Sequence, residues 1–399
     1  MIRRNLEIPL KKYQKQYPVI AIVGPRQSGK TTLAKEFFKN YAYVSLENLD
    51  IRLQAQQDPR GFLHDNPPPL IIDEAQRVPE LFSYLQGIVD TNDKDGQYVL
   101  TGSHQFLLLE KITQSLAGRI AVFTLYPFTT NELISKQLDD GINSIVSIKK
   151  NNTTYFSSID IYELIFTGMY PRIHDKKLDP VKWLENYVIT YIERDIRSLV
   201  NIENLRLFEI FIKTIASHSG QLLNYAAIAN TVGISQPTVK KWLSLLETSG
   251  IIFLLQPYHK NFNKRLIKTP KLYFIDTGLL CYLLSINSTK ELKSHPLYGN
   301  IFETFIISEM YKRIAHTGLK HPLYFWRDRT GNEVDCLIEI GQAILPIEIK
   351  AARTYNPEFI ASVQKFFTFS NVTKGLVLYS GEQAVGISSA IPVIPWWML

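Results

Sequence analysis

With 399 residues, 45% of them hydrophobic and 20% charged, the chain is too long for one ordinary domain and too apolar to be disordered throughout. Its two cysteines, Cys281 and Cys336, lie far apart, which disfavours a disulfide framework or a zinc site. The net charge of +7 allows nucleic-acid binding without requiring it, and without a signal peptide or a membrane-length apolar run we expect a cytoplasmic protein with no membrane partner.

The N-terminal third of the chain alternates short apolar runs with helical stretches. A helix is predicted from about Lys30 to Phe38. Strands are predicted at 18–24, 41–47, 67–74, 97–103 and 121–128. Apolar runs that are separated by helices indicate a doubly wound parallel sheet.

A glycine-rich loop joins the first predicted strand to the first predicted helix. It matches the pattern G-x-x-x-x-G-K-[ST] and consists of Gly24, Pro25, Arg26, Gln27, Ser28, Gly29, Lys30 and Thr31, with Thr32 next in the helix. Such a loop turns its N–H groups toward a bound phosphate at the positive end of the helix dipole. Lys30 is then expected to neutralise the β- and γ-phosphates of ATP, and Thr31 to bind Mg²⁺.

Polar residues follow two further strands of this region. The apolar strand in the segment 70–76 ends in Asp73 and Glu74, which we predict to hold Mg²⁺ and to activate the attacking water, respectively. The strand at 98–104 ends in the polar residues Thr101 and Ser103, either of which could orient that water, and Ser103 is favoured. Arg119 precedes the fifth strand, where it is either a surface salt-bridge partner or a residue that reaches the γ-phosphate of a neighbouring subunit.

A polar, aperiodic segment at 135–160 is predicted to be an insertion or linker, and a helix follows at 183–200. Residues 224–249 have the pattern of a helix-turn-helix, and the strand after it suggests a winged helix. Its polar face carries Lys240 and Lys241. The stretch after the strand holds five basic residues and no acid: Lys260, Lys264, Arg265, Lys268 and Lys271. This stretch is either a DNA-binding wing or a solvated loop.

The segment 324–352 is predicted to form a hairpin of two strands joined at Gly341 and Gln342. The candidate chemical residues here are Asp335 on the first strand, Glu348 and Lys350 on one face of the second, and Glu303 on the preceding helix. Asp335 and Glu348 could share Mg²⁺, with Lys350 orienting a water and Glu303 completing the metal shell. An ordinary salt bridge on an exposed hairpin is the alternative.

Taken together, Gly24–Thr31, Asp73-Glu74, Thr101–Ser103 and Leu116–Arg119 resemble the AAA+ superfamily, and in particular its prokaryotic members with a C-terminal domain of unknown function. The resemblance implies that Asp73-Glu74 is the Walker B element, the polar strand end sensor 1, and Arg119 a finger acting in trans. Arg172 and Arg194 are two options for a sensor 2 arginine.

The spacing of the C-terminal acids and Lys350 resembles the PD-(D/E)xK nucleases. The implied fold is an α/β P-loop AAA+ core at 1–134, a linker and helical lid at 135–204, a winged helix at 205–270, and a restriction-endonuclease-like α/β domain at 271–399. Expected partners are DNA, branched DNA included, and further copies of the chain in a ring, for which a hexamer is one option.

Three hypotheses for the function remain open at this stage. The chain is an ATP-driven DNA-processing or branched-DNA-remodelling motor with ATP and Mg²⁺ as cofactors, a nucleotide-dependent regulatory switch with a protein partner, or an ATP-gated nuclease. A complete set of acids does not by itself imply cleavage, because such folds are also retained for DNA binding.

Overall fold

The computed structural model describes residues 2–92, 94–102, 115–134, 160–196, 204–258, 268–318, 323–387 and 389–398. The predicted site residues Ser103, Lys260, Lys264 and Arg265 lie outside these ranges, as does nearly all of the predicted insertion at 135–160.

The N-terminal region is a parallel sheet with helices packed against it. Its strands are β1 (Val19–Val23), β2 (Ala42–Ser45), β3 (Leu70–Asp73), β4 (Tyr98–Gly102) and β5 (Ile120–Thr124). Its helices are α1 (Glu7–Tyr13), α2 (Lys30–Phe37), α3 (Leu49–Gln57), α4 (Pro59–Asp65), α5 (Leu81–Thr91) and α6 (Thr130–Leu133). The strand order is β2-β3-β4-β1-β5, and every described pairing is parallel. The predicted parallel sheet is therefore confirmed.

The inner strand β1, between β4 and β5, is buried on both faces because apolar clusters cover the sheet from either side. A strand that is buried on both faces needs a continuous apolar sequence, and VIAIV meets this requirement. All strands of the sheet point the same way, so the chain leaves β1, β3 and β4 at one edge. That edge carries the loop at Gly24, Asp73 and Thr101.

The middle of the chain is mainly helical. Its elements are α7 (Ile161–Thr167), α8 (Pro171–Lys176), α9 (Pro180–Tyr187), a π-helical stretch (Val188–Ile196), α10 (Leu205–Ser217), α11 (Tyr225–Val232) and α12 (Gln236–Thr248). Of the helix predicted at 183–200, the described part to Ile196 is an α-helix that changes to a wider π-helical form at Val188.

The second sheet has eight strands in the order β13-β12-β11-β10-β9-β7-β8-β6. The strands are β6 (Gln221–Leu222), β7 (Ile252–Pro257), β8 (Lys271–Phe274), β9 (Leu323–Arg327), β10 (Glu333–Ile340), β11 (Ala343–Lys350), β12 (Leu376–Tyr379) and β13 (Val393–Pro395). The helices of this part are α13 (Thr277–Leu283), α14 (Thr289–Ser294), α15 (Tyr298–His316) and α16 (Ala361–Phe367). The predicted hairpin at Gly341 is confirmed as β10 and β11.

One continuous sheet therefore unites the middle and C-terminal parts of the chain. The link is a parallel contact in which Gln256 and Pro257 of β7 pair with Tyr324 and Phe325 of β9. A boundary at residue 270 falls between β7 and β8, which pair antiparallel with each other. A single apolar core extends from Tyr126 to Trp397. Within the described ranges, no helix is both long and apolar enough to cross a membrane.

Candidate functional site

The loop between β1 and α2 has a backbone that requires glycine at two positions. Gly24 has a φ of 141° and lies so close to the Leu125 carbonyl that a Cβ atom would collide with it. Gly29 has a φ of 96° and stands at the N-cap of α2. Side chains rarely adopt such φ values, so the two glycines fix the curvature that surrounds a phosphate.

Lys30 begins α2 and is 7% exposed. Its Nζ donates to the carbonyl oxygens of Gly24 at 3.0 Å and Pro25 at 2.8 Å. Burial lowers the pKa of Lys30 to about 8, although the charges of Glu74 and Asp73 act in the opposite direction. Two neutral carbonyls do not compensate a buried ammonium fully, so an anion in the loop would be strongly attracted.

Asp73 accepts hydrogen bonds from three hydroxyl groups at the end of β3. Thr31 Oγ1 lies 3.1 and 3.2 Å from its two carboxylate oxygens, Tyr43 OH lies 2.9 Å away, and Thr101 also donates to it. Burial and the hydrogen bond to Asp73 raise the pKa of Tyr43 to about 12, so the phenol remains a donor. Hydroxyl and carboxylate oxygens are ligands that Mg²⁺ prefers, so Thr31 and Asp73 fit this ion.

Glu74 adopts a left-handed backbone with a φ of 55°, which turns the chain sharply after β3. Gln76, which is 6% exposed, donates from Nε2 to Glu74 Oε2 at 2.5 Å. The amide thereby fixes the direction of the carboxylate. Neither Gln76 nor Tyr43 could be identified from the sequence, since an amide and a phenol at these positions match no short motif.

A cavity of about 140 Å³ lies beside the phosphate-binding loop. It is lined by Arg26, Gln27, Arg172, Trp183, Asn186, Tyr187, Thr190 and Tyr191. Tyr187 OH lies 3.4 Å from the carbonyl oxygen of Arg26, and the guanidinium of Arg26 lies 5.9 Å from the ring of Tyr191. Helix α9 and the π-helical stretch thus cover one side of the loop, and Arg172 adds positive charge there.

Arg4 supports the same loop from beneath and is 3% exposed. Its guanidinium donates to the carbonyl oxygens of Ser28 at 2.8 Å and Tyr126 at 2.6 Å, and to Glu132 at 3.2 Å. His316 Nδ1 lies 3.4 Å from the same carboxylate. Burial raises the pKa of Glu132, but Arg4 and His316 outweigh it, so that the pKa lies below its ordinary value.

His316 lies at the end of helix α15, whose last two turns form a buried polar contact with residues 126–132. The contacts are Tyr126 N to His316 Nε2 at 3.0 Å, Lys312 Nζ to Phe128 O at 2.9 Å, and Thr130 N to Glu309 Oε1 at 2.8 Å. Because Tyr126 N–H donates to it, Nε2 of His316 carries no proton. The C-terminal part of the chain is therefore fastened directly beneath the phosphate-binding loop.

Arg119 forms a two-pronged ion pair with Asp90 of α5, and one of its two contacts measures 2.9 Å. The Arg119 carbonyl accepts from Val19 N, which places this residue at the start of β1. The phosphate-binding loop begins after the other end of this strand, about 13 Å away at 3.3 Å per residue. Arg119 is thus remote from the nucleotide site of its own chain, and its role across an interface stays a prediction.

Helices α11 and α12 enclose a turn at Gly233, whose φ is 78°. Lys240, Lys241 and Lys268 are exposed, as a role in DNA binding requires. Lys271 is only 3% exposed and does not belong to the exposed basic stretch in which the sequence analysis counted it. Its side chain is buried instead, because Lys271 is the first residue of the buried strand β8.

The C-terminal candidates do come together. Lys350 Nζ donates to Glu348 Oε1 at 2.6 Å, and Ile349 N donates to Asp335 Oδ2 at 2.8 Å. Burial raises the pKa of Asp335 well above its ordinary value, and the nearby charges of Glu348 and Glu303 raise it further. In the part of the chain that the structure describes, no group of three or more His, Cys, Asp or Glu is arranged to hold a metal ion. The metal role of Asp335 and Glu348 stays a prediction.

Three family models match the chain. Residues 16–134 match an AAA domain, residues 158–290 a domain of unknown function, DUF8612, and residues 298–399 a domain of unknown function, DUF4143. The chain therefore contains an AAA-type ATPase domain and a DUF4143 domain.

Several proteins are similar to this chain over much of its length. An uncharacterized protein of Mycobacterium tuberculosis is 26% identical over 98% of this chain and 83% of its own. An uncharacterized protein of Methanocaldococcus jannaschii is 22% identical over 95% of this chain and 83% of its own. A Walker-type ATPase structure of Pyrococcus abyssi has 15% identity and a TM-score of 0.42 over 71% of this chain and 96% of that one. A RuvB structure of Thermotoga maritima has 20% identity and a TM-score of 0.30 over 62% and 86%, respectively.

Proposed function

We propose that this chain, with its AAA-type ATPase domain, hydrolyses ATP with Mg²⁺ and uses the reaction to process or remodel DNA. One observation supports the catalytic half of the proposal above all others. A buried lysine, a Thr–Asp pair and a glutamate held by an amide meet at the edge of the sheet where the phosphate-binding loop lies.

Each residue of this site has a role that follows from its contacts. Lys30 exchanges its two carbonyl partners for phosphate oxygens, and Thr31 and Asp73 hold the metal ion. When bound, Mg²⁺ supplies positive charge that neutralises the phosphate oxygens. Glu74, kept in direction by Gln76, accepts a proton from the attacking water. Arg172 lines the neighbouring cavity together with Arg26 and Gln27 of the loop, and its positive charge is suited to contact the phosphates.

The DNA half of the proposal is supported by the middle of the chain. Elements α10, β6, α11, α12, β7 and β8 follow one another in the order that a winged helix uses, and Lys240 and Lys241 are exposed on α12. Just after α12, Gly250 has a φ of 70° and packs so tightly that a Cβ would lie 3.0 Å from Pro25 of the phosphate-binding loop. DNA on α12 would therefore act on a helix whose end abuts that loop.

The proposal also includes a ring of subunits. The side chain of Arg119 is about one-third exposed on the surface. Its guanidinium is therefore accessible to a carboxylate or a bound nucleotide of a second copy of the chain. In such a ring, Arg119 would leave Asp90 and stabilise negative charge on the γ-phosphate of the neighbouring subunit.

A nucleotide-dependent switch with a protein partner is the second candidate, and the contacts of Arg4 favour it. Arg4 contacts Ser28 of the loop and Glu132, and Glu132 in turn contacts His316 of α15. A change of nucleotide that moves the loop would therefore alter the contacts of α15 in the DUF4143 domain. Slow turnover that responds to a protein and not to DNA is the behaviour expected of such a switch.

The decisive experiment is steady-state ATP hydrolysis with Mg²⁺, alone and with single-stranded, duplex, forked and four-way-junction DNA. Lys30→Ala provides the blank. We expect at least one DNA form to stimulate turnover, and the double variant Lys240→Glu/Lys241→Glu to lose the stimulation. The matched control is Lys213→Glu, an exposed lysine of α10. A slow rate that is equal across all DNA forms would contradict the DNA half and favour the switch.

A further inference from the structure

Lys271 lies among the acids that the sequence analysis assigned to a metal site. It begins β8, and its side chain is 4% exposed. Its Nζ lies 3.0 Å from Glu303 Oε1 and forms a second ion pair with Glu333. Burial lowers the pKa of Lys271, but the charges of Glu303, Asp335 and Glu333 outweigh it and raise the pKa above its ordinary value. The ammonium is therefore charged at neutral pH.

The acids around Lys271 have further partners within the protein. Glu303 Oε1 also accepts from Tyr273 OH at 2.6 Å, and Glu333 Oε2 from Arg327 at 2.7 Å. Glu348 Oε1 accepts from Lys350 at 2.6 Å and from Ser362 at 3.0 Å. Two lysines and an arginine thus form ion pairs with three of the four carboxylates, while Glu348 Oε2 is buried without a hydrogen-bond partner.

We propose that Lys271 takes the place of a divalent cation in this cluster, so that the C-terminal domain neither binds a catalytic metal nor cleaves phosphodiester bonds. The cluster is then an internal ion-pair network. It fastens β8 to helix α15 through Glu303 and to β10 through Glu333. This inference does not depend on the proposed action on DNA.

The physical argument is one of charge and space. A divalent cation needs several carboxylate oxygens that are not already bound to another cation. Lys271 occupies Glu303 Oε1, the oxygen expected to complete the metal shell, and its ammonium repels a divalent ion strongly in a poorly hydrated interior. The Lys271 side chain is also buried, with the ring of Phe325 at 5.7 Å from Nζ, so leaving the acids would bury an unpaired charge elsewhere. The residues present therefore do not fit a metal ion.

The first test measures Mn²⁺ binding to the full-length protein without nucleotide, by electron paramagnetic resonance. Wild type, Asp335→Asn and Glu348→Gln are expected to bind equal amounts of Mn²⁺, since any ion at the phosphate-binding loop contributes to all three alike. Plasmid DNA incubated with each protein and Mg²⁺ or Mn²⁺ is expected to stay intact. A wild-type Mn²⁺ site that either variant loses, or nicking that either variant abolishes, would overturn the inference.

The second test removes the ammonium with little change of shape, in Lys271→Met. The matched control is Lys268→Met, three residues away and exposed. In EDTA, Lys271→Met is expected to melt several degrees below wild type and the control at the wild-type temperature. Mn²⁺ is expected to restore stability to Lys271→Met alone. An unchanged melting temperature of Lys271→Met, or an equal response of all three proteins to Mn²⁺, would overturn the role of Lys271.

Discussion

The phosphate-binding loop and the C-terminal cluster each combine a buried lysine with carboxylates near strand ends, but the two lysines have different partners. Lys30 donates to two backbone carbonyls, and Asp73 accepts from hydroxyl groups. Lys271 donates to the carboxylates themselves. The first site has positive charge that is not balanced by a bound carboxylate, whereas the second is neutralised from within.

The pKa values of the two lysines reflect this difference. The pKa of Lys30 is lowered to about 8 by burial, while the pKa of Lys271 is raised because three acids outweigh its burial. A buried cation whose pKa is lowered will gain from a new anionic partner, and one whose pKa is raised already has its partners. A pair of acids and a lysine in sequence therefore does not by itself indicate a site for a ligand.

The largest effect is expected from Glu74→Gln. An amide is unable to accept a proton from water, so kcat should fall by about 100-fold or more while ATP still binds. Steady-state hydrolysis gives kcat, and a fluorescent ATP analogue gives the affinity. Glu80→Gln, on the exposed surface nearby, is the control. A Glu74→Gln protein that hydrolyses ATP at the wild-type rate would contradict the role of Glu74 as the general base.

The next effect concerns stability at the other site. In Glu303→Gln the buried ammonium of Lys271 and the hydroxyl of Tyr273 lose a charged acceptor, so the free energy of unfolding should fall by about 2 to 3 kcal/mol. Urea denaturation measures it, with the exposed Glu358→Gln as control. Asp73→Asn, at the proposed Mg²⁺ site, should lose far less stability, because its partners are neutral hydroxyl groups. Equal losses in Glu303→Gln and Asp73→Asn would show that the two sites do not differ.

A smaller effect is expected from pH. ATP binds best to the charged form of Lys30, whose pKa is about 8, so affinity should be nearly constant below pH 8 and fall above it. At pH 9 the loss should be about tenfold, because only about one lysine in ten is then protonated. Titration with ATP at several pH values between about 6.5 and 9.5 measures this change in affinity. Lys30→Arg should bind ATP weakly, because a planar guanidinium does not reproduce the contacts of a compact ammonium, and its affinity should not fall above pH 8, because arginine keeps its charge.

The smallest effect is expected from Gln76→Ala. Glu74 keeps its carboxylate but loses the amide that directs it, so kcat should fall by several-fold with little change in KM. Gln76→Glu places a like charge beside Glu74 and should also shift the acidic limb of the pH–rate profile upward. A purely structural role for Gln76 would lower stability and leave that profile in place.

One helix connects the two sites that differ so clearly. Glu303 and His316 are 13 residues apart in α15, or about 20 Å at 1.5 Å per residue. Glu303 holds Lys271 at one end, and His316 meets Glu132 beneath the phosphate-binding loop at the other. The neutralised cluster thus anchors the far end of an element that contacts the nucleotide site.

Much of the nucleotide site could be predicted from the sequence alone. The five strands, the loop at Gly24–Thr31 and the acids Asp73 and Glu74 follow from apolar runs and from short motifs. The hairpin at Gly341 and the contact between Glu348 and Lys350 were equally predictable. All of these features depend on residues that are close in sequence, where alternation, turn chemistry and the direction of side chains are fixed by local geometry.

Tertiary structure alone decided which charged residues pair with partners that are distant in sequence. Lys271 follows a basic stretch and looked like part of it, yet the pairing of β7 with β8 and β9 turns its side chain toward Glu303. Arg4 meets Glu132, 128 residues away, only because both pack beneath the same loop. A buried charge is costly unless it is paired with a charge of opposite sign. Which partner lies close enough depends on contacts between segments that are distant in sequence, and local sequence patterns carry no information about those contacts.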